Sequence, residues 1–282
     1  MNSTMLSLYN SVCKECSQLV TNRYSTSFSL GIRMFAEEFR EPIYNIYGFV
    51  RFADEIVDTF HDFDKRQLFQ EFRKETFTAI ERKISLNPIL HSFQDVVHQY
   101  DIDDELINGF LDSMEMDLSK DSFDRASYDR YIFGSAEVVG LMCLKVFVKG
   151  DRETYERLKE SAMKLGAAFQ KVNFLRDIKS DFYDRGRVYF PEVDYDAFTC
   201  VQKTEIEAEI QADFDAGYEG IKQLPKGARL GVYLAYTYYL RLLKKIKKCS
   251  ADQVREERIR VPDSHKLLLL STSTLKYQLR AL

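Results

Sequence analysis

The sequence has 282 residues, of which 45% are hydrophobic and 30% are charged, and its 40 basic and 44 acidic residues give a net charge of −4. This composition excludes a wholly disordered chain, and the lack of a general basic field argues against nucleic-acid binding. Glycine (12) and proline (5) are scarce, so the chain has few of the turns that a many-stranded fold needs, and long helices are predicted.

The sequence shows no signal for secretion or for membrane insertion. Its first residues lack the basic start and the continuous apolar segment of a secretory signal, and no run approaches the roughly 18 apolar residues of a membrane span. The five cysteines are odd in number and scattered, which is typical of reduced thiols. We therefore expect a cytosolic protein, and we interpret the Cys13-x-x-Cys16 pair as one face of an amphipathic helix.

Helical periodicity runs through most of the chain, and no repeat or flexible linker divides it, so residues 1–282 are predicted to form one domain. The predicted helices cover residues 5–22, 42–60, 65–84, 88–100, 103–117, 127–149, 151–182, 204–222 and 227–249. Pro42 is expected in the first turn of its helix, and Gly150 is expected to separate two helices. Residues 183–200 lack this periodicity and are predicted to form a loop.

One face of the helix predicted over residues 42–60 carries a polar stripe. Its members recur every three or four residues: Tyr47, Arg51, Asp54 and Asp58. The other faces are apolar nearly all round, which predicts a buried helix whose polar stripe faces an internal cavity. Two carboxylates in such a place repel each other and lose hydration, which is costly unless a cation or an arginine compensates, and Arg51 alone cannot neutralise both.

A second stripe of the same kind lies within residues 163–181. Four polar side chains again share one helix face: Gln170, Asn173, Asp177 and Asp181. Met163, Gly166 and Ala167 extend this face as a small or apolar wall, which suits a ligand with a charged head and a hydrocarbon tail. The back of the helix carries three basic residues and is predicted to be partly exposed: Lys171, Arg176 and Lys179.

Mg²⁺ is the natural cation for such stripes, because it takes oxygen ligands and is usually held by one or two carboxylates plus substrate phosphates. A di-iron bundle is the alternative metal site, but it needs Glu-x-x-His on two helices. The nearest spacings are Asp58-x-x-His61 and Asp95-x-x-His98. For either stripe alone, the alternative is an ordinary solvated helix face.

Two arginines flank Gly186 directly after the second stripe. Arg185 and Arg187 are positioned to form paired hydrogen bonds with phosphate oxygens, and an ordinary surface loop is the alternative interpretation.

With these residues assembled, the chain resembles the phytoene synthase and squalene synthase family of head-to-head prenyltransferases, and within it the bacterial phytoene synthases. The matching segments are Tyr24–Phe28, Tyr47–Asp58, Met114–Leu118, Gln170–Asp181, Arg185–Pro191 and Arg258–Pro262. The resemblance implies an all-α isoprenoid synthase fold, a single helical bundle around a central active-site cavity.

The resemblance also implies roles for individual residues. Three Mg²⁺ ions, for which Mn²⁺ is a possible substitute, would bridge both acidic motifs to diphosphate through Asp54, Asp58, Asn173, Asp177 and Asp181. Diphosphate would be contacted by Arg51, Arg187 and Arg258. Ser25, Ser27 and Phe28 would line the site near the prenyl chain, and Tyr47, Tyr131 and Tyr239 would lie around the carbocation. Gln170 of the second stripe is also predicted to bind substrate.

The reaction implied is the condensation of two geranylgeranyl diphosphate molecules, through a cyclopropylcarbinyl diphosphate, to phytoene. No Gly-rich dinucleotide fingerprint appears, so no nicotinamide cofactor is expected. One alternative is the fifteen-carbon homologue, which uses farnesyl diphosphate to make dehydrosqualene, squalene or presqualene diphosphate. Another is a non-catalytic relative that acts as a scaffold, although all four aspartates are present.

A lipid-soluble product suggests peripheral contact with a membrane. The basic run near the end of the last predicted helix is one candidate surface, and a solvated helix end is the alternative: Lys244, Lys245, Lys247 and Lys248.

Three positions depart from the family pattern. Glu55 stands where many relatives have Asp, and Phe133 replaces a Tyr whose hydroxyl would be a candidate proton shuttle. Glu137 occupies a position that is usually small.

Overall fold

A computed structural model describes residues 2–119, 122–191, 193–195 and 197–260. The helices within these ranges are α1 (Asn2–Tyr24), α2 (Thr26–Arg33), α3 (Glu37–Asp58), α4 (Lys65–Arg82), α5 (Pro88–Tyr100), α6 (Asp104–Met116), α7 (Arg125–Ile132), a π-helical turn (Phe133–Glu137), α8 (Val138–Val148), α9 (Arg152–Arg185), α10 (Cys200–Gln223), α11 (Lys226–Ile246) and α12 (Ala251–Glu256). Among the described residues, β geometry is limited to one isolated bridge between Ser122 and Val188. The predicted all-α class is confirmed.

Every predicted helix is present, but the ends of several differ from the prediction. The short helices α2 and α12 are additional, because neither is long enough to show a helical repeat in the sequence. Helix α3 begins at Glu37, so the expectation that Pro42 lies in a first turn is wrong. Glu37 and Glu38 favour the earlier start, because acidic side chains in the first turn interact favourably with the helix dipole. Pro42 has no N–H to donate to the backbone oxygen of Glu38, and Glu38 is exposed.

The helix predicted over residues 127–149 is interrupted by the π-helical turn. Close helix packing explains why Gly134 lies there, since a Cβ at this position would be 2.3 Å from the backbone oxygen of Gly109 in α6. The stretch Arg125–Val148 is also long and apolar enough to span a membrane by length and composition, contrary to the sequence expectation. However, 61% of its most apolar window is buried in the bundle, as in the core helix of a soluble protein.

The long helix α9 occupies the centre of the bundle and packs against α8, α10 and the π-helical turn. The prediction that its back is partly exposed is wrong at Lys171, which is buried between α9 and α10. Its ammonium donates to Glu209 at 2.5 Å and to Asp213 at 2.7 Å. Of the three basic residues predicted on this face, Lys171 therefore meets acidic residues of α10, and only Lys179 is exposed.

Helix α3 packs against α1 and α5, and its Phe49 stacks on Phe93 of α5 with ring centroids 3.9 Å apart. Burial is not complete around this helix, because Phe52 is 36% exposed. The predicted loop begins at Gly186, three residues later than expected, where a left-handed conformation (φ 66°) ends α9. The two acidic stripes thus lie on two separately packed helices, α3 against α1 and α5, and α9 against α8 and α10.

Candidate active site

Arginines from the end of α9 join the two acidic stripes. Arg185 donates to Asp181 at 2.6 Å and lies 3.2 Å from Asp58 of α3. Arg187, which is buried, donates to the other oxygen of Asp58 at 3.1 Å. The predicted meeting of the two stripes is therefore confirmed, and it depends on the Arg-Gly-Arg segment that follows the second stripe.

The other two aspartates of the stripes also face guanidinium groups. Arg51 is clamped between Asp54 and Glu55, so the longer acidic side chain at position 55 pairs with the arginine of its own helix. Asp177 is contacted by the Arg258 Nε at 2.8 Å. Val261 and Pro262, which complete the segment of Arg258, lie outside the described residues.

Helical periodicity predicts that Arg176 lies on the back of α9, and this prediction is wrong. Its guanidinium pairs with neighbouring Asp177 and lies beside Tyr238 and Tyr239. Burial alone would lower the pKa of Arg176, but the Asp177 carboxylate outweighs it and raises that pKa. A long side chain reaches around the helix to an adjacent residue, so Arg176 adds a further cation to the site.

Burial in this site makes two of the carboxylates harder to ionise. Burial, together with the nearby Asp58 carboxylate, raises the pKa of Asp54 to about 6. Burial also raises the pKa of Asp181 to about 7, against the opposing effect of Arg185 and with the help of Asp177. A bound cation would favour the ionised form of both groups.

The donor atoms of the site fit an oxygen-ligated cation, although no ready-made cage is present. Among the described residues, no three His, Cys, Asp or Glu side chains form a group that could hold a metal, because the aspartates are paired with arginines. The Asn173 Oδ1 is buried and has no hydrogen-bond partner, while the Asn173 side chain hydrogen-bonds Tyr239. Such an orphaned acceptor one helical turn before Asp177 suits Mg²⁺, and a di-iron site gains no support from this arrangement.

Asp117, just after α6, belongs to the site although neither acidic stripe includes it. Tyr131 donates to its carboxylate at 2.7 Å and Tyr189 donates at 3.1 Å, while Arg187 donates to its backbone oxygen at 2.8 Å. Burial raises the pKa of Asp117 to about 7. The only sequence signal for Asp117 is its place in the family-like segment Met114–Leu118, because a single aspartate has no periodic partner.

Two aromatic residues near the π-helical turn lie away from the cavity wall. Tyr131 packs among aromatic rings, with its centroid 5.9 Å from Phe174 and 5.1 Å from Tyr189, and it holds Asp117 instead of lining the cavity. Phe133 is 40% exposed. The missing hydroxyl at position 133 is therefore outside the site.

Glu137 lies in the π-helical turn near Lys164 and Lys171. Burial raises the pKa of Glu137, and the two lysines oppose that shift. These lysines also pair with Asp213 of α10, so Glu137 belongs to the charge cluster that joins α9 to α10.

The acidic site opens into an apolar cavity of about 300 Å³ enclosed by α2, α3, α8, α9, α10 and α11. The predicted site residues that line it gather toward its acidic end: Phe28, Tyr47, Gln170 and Tyr239. The rings of Phe28 and Tyr47 stack at 4.7 Å. Burial raises the pKa of Tyr47 to about 12, so its hydroxyl stays protonated.

The predicted apolar wall of α9 is only partly right. Gly166 lines the cavity, but Met163 and Ala167 do not, because the face that α9 turns to the cavity carries Ala162 and Leu165 instead. The predicted combination of a polar end and an apolar channel is nevertheless confirmed.

Ser25 and Ser27 lie in a smaller recess of about 50 Å³ between α2 and α11, which shares Phe28 and Tyr239 with the main cavity. The Ser25 hydroxyl caps α2 by accepting a hydrogen bond from the backbone N–H of Phe28. The structure therefore brings every predicted site residue to the acidic site or to a cavity wall, and Tyr131 does so through its hydrogen bond to Asp117 and not by lining the cavity.

Comparison with known proteins agrees with this geometry. Residues 21–265 match the family model described as squalene/phytoene synthase. The chain is 29% identical to 4,4'-diapophytoene synthase of Staphylococcus haemolyticus over 205 residues, which cover 70% of this chain and 68% of that protein. It is 27% identical to 15-cis-phytoene synthase of Synechococcus elongatus over 305 residues, covering 97% and 96%.

A crystal structure of a dehydrosqualene synthase in complex with ligand superposes with a TM-score of 0.80 at 19% identity, covering 98% of both chains. This likeness shows that the helical bundle is the isoprenoid synthase fold. The family-model match extends over most of the sequence and includes both acidic stripes. The chain belongs to the squalene/phytoene synthase family of prenyltransferases.

Proposed function

We propose that this protein condenses two molecules of geranylgeranyl diphosphate head to head, through a cyclopropylcarbinyl diphosphate, to phytoene. The observation that carries the proposal is the junction of an acidic, arginine-rich site with a deep apolar cavity. The charged end suits a diphosphate, and the cavity suits the attached prenyl chain. No nicotinamide cofactor is part of this proposal.

Mg²⁺ is proposed as the cofactor. The ligands would be carboxylate and amide oxygens of α3 and α9: Asp54, Asp58, Asn173, Asp177 and Asp181. When bound, the ions would act as Lewis acids that neutralise charge on the leaving diphosphate. Arg51, Arg176 and Arg258 pair with these aspartates, and their guanidinium groups would also suit diphosphate oxygens.

The aromatic rings near the acidic end of the cavity are assigned to the carbocation. Phe28 and Tyr47 stack on one side, and Phe169 stacks on Tyr239 with centroids 4.3 Å apart. Aromatic faces attract a cation without trapping it as a nucleophile would. The apolar walls exclude water, which would otherwise quench the carbocation.

The length of the cavity supports a twenty-carbon substrate. Leu158 and Gln170 both line it and lie twelve residues apart on α9, which corresponds to about 18 Å at about 1.5 Å per residue. An extended twenty-carbon prenyl chain is about 19 Å long and a fifteen-carbon chain about 14 Å, from carbon–carbon bonds of about 1.5 Å. The fifteen-carbon reaction is the second candidate, because one of the relatives is named as a diapophytoene synthase.

The proposal is tested by supplying farnesyl and geranylgeranyl diphosphate separately, with Mg²⁺ or EDTA and with or without NADPH. We expect phytoene from the twenty-carbon substrate, dependent on Mg²⁺ and independent of NADPH, identified by mass. A fifteen-carbon product alone would replace the first candidate with the second. Turnover that survives EDTA would refute the metal role.

A further inference from the structure

A second pocket, of about 440 Å³, adjoins the acidic site at Asp58. Nine of its twelve lining residues are polar or charged, and within the described part of the chain it shares no lining residue with the apolar cavity. Its walls come from the end of α3, the α3–α4 loop, the first turn of α4, the residues after α6 and the end of α9 with the residues that follow it. We call it the cationic pocket, after four of its lining residues: Lys65, Arg66, Arg185 and Arg187.

Two arginines belong both to the acidic site and to the cationic pocket. Arg185 contacts Asp181 at 2.6 Å and Asp58 at 3.2 Å, and Arg187 contacts the other oxygen of Asp58 at 3.1 Å. The same two side chains line the pocket. An anion that leaves the acidic site on this side therefore stays within reach of guanidinium groups.

Lys65 adds a cation that the acidic site does not use. It is half-buried, and its ammonium donates to the backbone oxygen of Val57 at 2.8 Å. Burial lowers the pKa of Lys65, and the charges of Arg187 and Arg185 act in the same direction. The Asp58 carboxylate opposes this shift without cancelling it. The cations of the pocket therefore repel one another, and a bound anion would relieve that repulsion.

Most acidic side chains that line the pocket are engaged by other groups. Asp58 pairs with the two arginines, and the Asp64 carboxylate caps α4 by accepting from the backbone N–H of Gln67 at 3.0 Å. The Asp117 carboxylate accepts hydrogen bonds from two tyrosines, and Asp184 is exposed.

Lys65 and Arg66 have no such partners, since neither forms an ion pair among the residues that the structure describes. Arg66 is exposed, and both side chains line the pocket beside the two shared arginines. The pocket thus offers cations without matching carboxylates, which suits an oxyanion.

We propose that the cationic pocket receives inorganic diphosphate after it leaves the acidic site and before it reaches solvent. This inference rests on the proposed function, in which each turnover breaks two carbon–oxygen bonds and each leaving diphosphate keeps the electron pair of its bond. Diphosphate has no hydrocarbon tail, so a polar pocket suits it and the apolar cavity does not. A separate polar route also lets diphosphate depart without admitting water to the cavity in which the carbocation reacts.

The test compares wild type with the double variant Lys65→Gln/Arg66→Gln. The matched control is Lys74→Gln/Arg82→Gln, which removes two exposed charges elsewhere on α4. Titration calorimetry measures binding of inorganic diphosphate in buffer freed of divalent metal. The double variant should bind at least about tenfold more weakly than wild type, because it loses two charge-assisted hydrogen bonds. The control should differ from wild type by less than about twofold.

A non-hydrolysable thiolodiphosphate analogue of geranylgeranyl diphosphate, bound in the presence of Mg²⁺, distinguishes the released ion from the head of the substrate. The double variant should bind this analogue within about twofold of wild type. An equal loss of affinity for the analogue and for inorganic diphosphate would assign the pocket to the substrate head and overturn the inference. Equal affinity of wild type and the double variant for inorganic diphosphate, or the same loss in the control, would also overturn it.

Inhibition by added inorganic diphosphate connects the pocket with turnover. At saturating substrate and excess Mg²⁺, competition for the acidic site is suppressed, and the double variant should need about ten times more diphosphate than wild type for the same inhibition of product formation. The same inhibition in both proteins would refute a role in release. If wild type turns over no prenyl diphosphate, the proposed function fails, and the pocket is then judged by the calorimetric comparison alone.

Discussion

At the scale of single residues, the site is a set of carboxylates held apart by guanidinium groups. Asp58 contacts both Arg185 and Arg187, and Asp177 contacts Arg176 and Arg258. In this way the arginines offset the repulsion between the carboxylates of the two stripes. They also place cations where a diphosphate would arrive.

Asp177 is the aspartate whose replacement tests the site most directly. We expect Asp177→Asn to lower turnover by at least about 100-fold, because the amide cannot supply the negative charge proposed to bind metal. Steady-state kinetics measures the loss, and circular dichroism should show unchanged helicity. Asp215→Asn, an exposed change on α10, is the matched control, and wild-type rates in Asp177→Asn would contradict the assignment.

Asp117 should make stability depend on pH in an unusual direction. Its pKa is raised to about 7 in the fold, compared with about 4 for an ordinary aspartate. The protonated form is thus favoured by folding, and this contribution is fully present below about pH 4 and is lost as pH rises through 7. Relative to Asp117→Asn, the unfolding free energy of wild type should fall by about 3 kcal/mol between pH 4 and pH 7.

Urea denaturation at several pH values measures this difference. A constant difference between wild type and Asp117→Asn across the range would show that Asp117 ionises normally. Asp129→Asn, which removes an exposed carboxylate that contacts Arg125, is the control and should not alter the pH dependence.

At the scale of helices, α9 makes different contacts on its two faces. One face carries the site, and the opposite face buries Lys171 against Glu209 and Asp213 of α10. The polar cluster fixes how the two helices lie against each other, since each charge is paired across the interface. Arg125, at the start of α7, extends the cluster by contacting Glu209 at 3.1 Å.

Lys171→Met should destabilise the protein strongly, because it leaves Asp213 buried without its main partner. We expect the unfolding free energy to fall by about 3 kcal/mol, the usual cost of breaking a buried ion pair. Lys179→Met, on the exposed side of the same helix, should change it by less than about 0.5 kcal/mol. Urea denaturation at pH 7 distinguishes the two, and equal effects would contradict the proposed cluster.

At the scale of the whole molecule, six helices surround the apolar cavity, and the acidic site lies at one end of that cavity. Ligand binding at that end touches both α3 and α9, so it should stabilise the bundle as a unit. We expect Mg²⁺ and diphosphate to bind together, because Mg²⁺ is usually held by one or two carboxylates plus substrate phosphates.

Mg²⁺ with inorganic diphosphate should therefore raise the melting temperature more than either alone. At 100 times the dissociation constant the gain is about 2.7 kcal/mol, or roughly 5–10 °C for a chain of this size. Differential scanning fluorimetry measures the shift, and Asp177→Asn should abolish the combined effect. Additive shifts from the two ligands separately would argue against a shared site.

Helical periodicity in the chain is enough to predict which residues share a helix face. The period of 3.6 residues is a local property, so the spacing of Asp54 with Asp58 and of Asp177 with Asp181 predicts both stripes, and the scarcity of turn residues predicts the all-α class. Resemblance to a family then supplies the ligand and the reaction. The same periodicity gives a wrong prediction for the side chain of Arg176, because periodicity locates Cα atoms on the helix and does not account for the reach of a long side chain.

What each helix face contacts is a property of the packed bundle. Packing brings Arg185 and Arg187 to Asp58, places Asp117 beside Arg187, and turns Phe133 outward. It also brings Phe35 and Phe147, which lie far apart in sequence, together in the cavity wall. Such contacts depend on which helices pack together and at what distance, and that choice is made by the whole core and not by any local pattern.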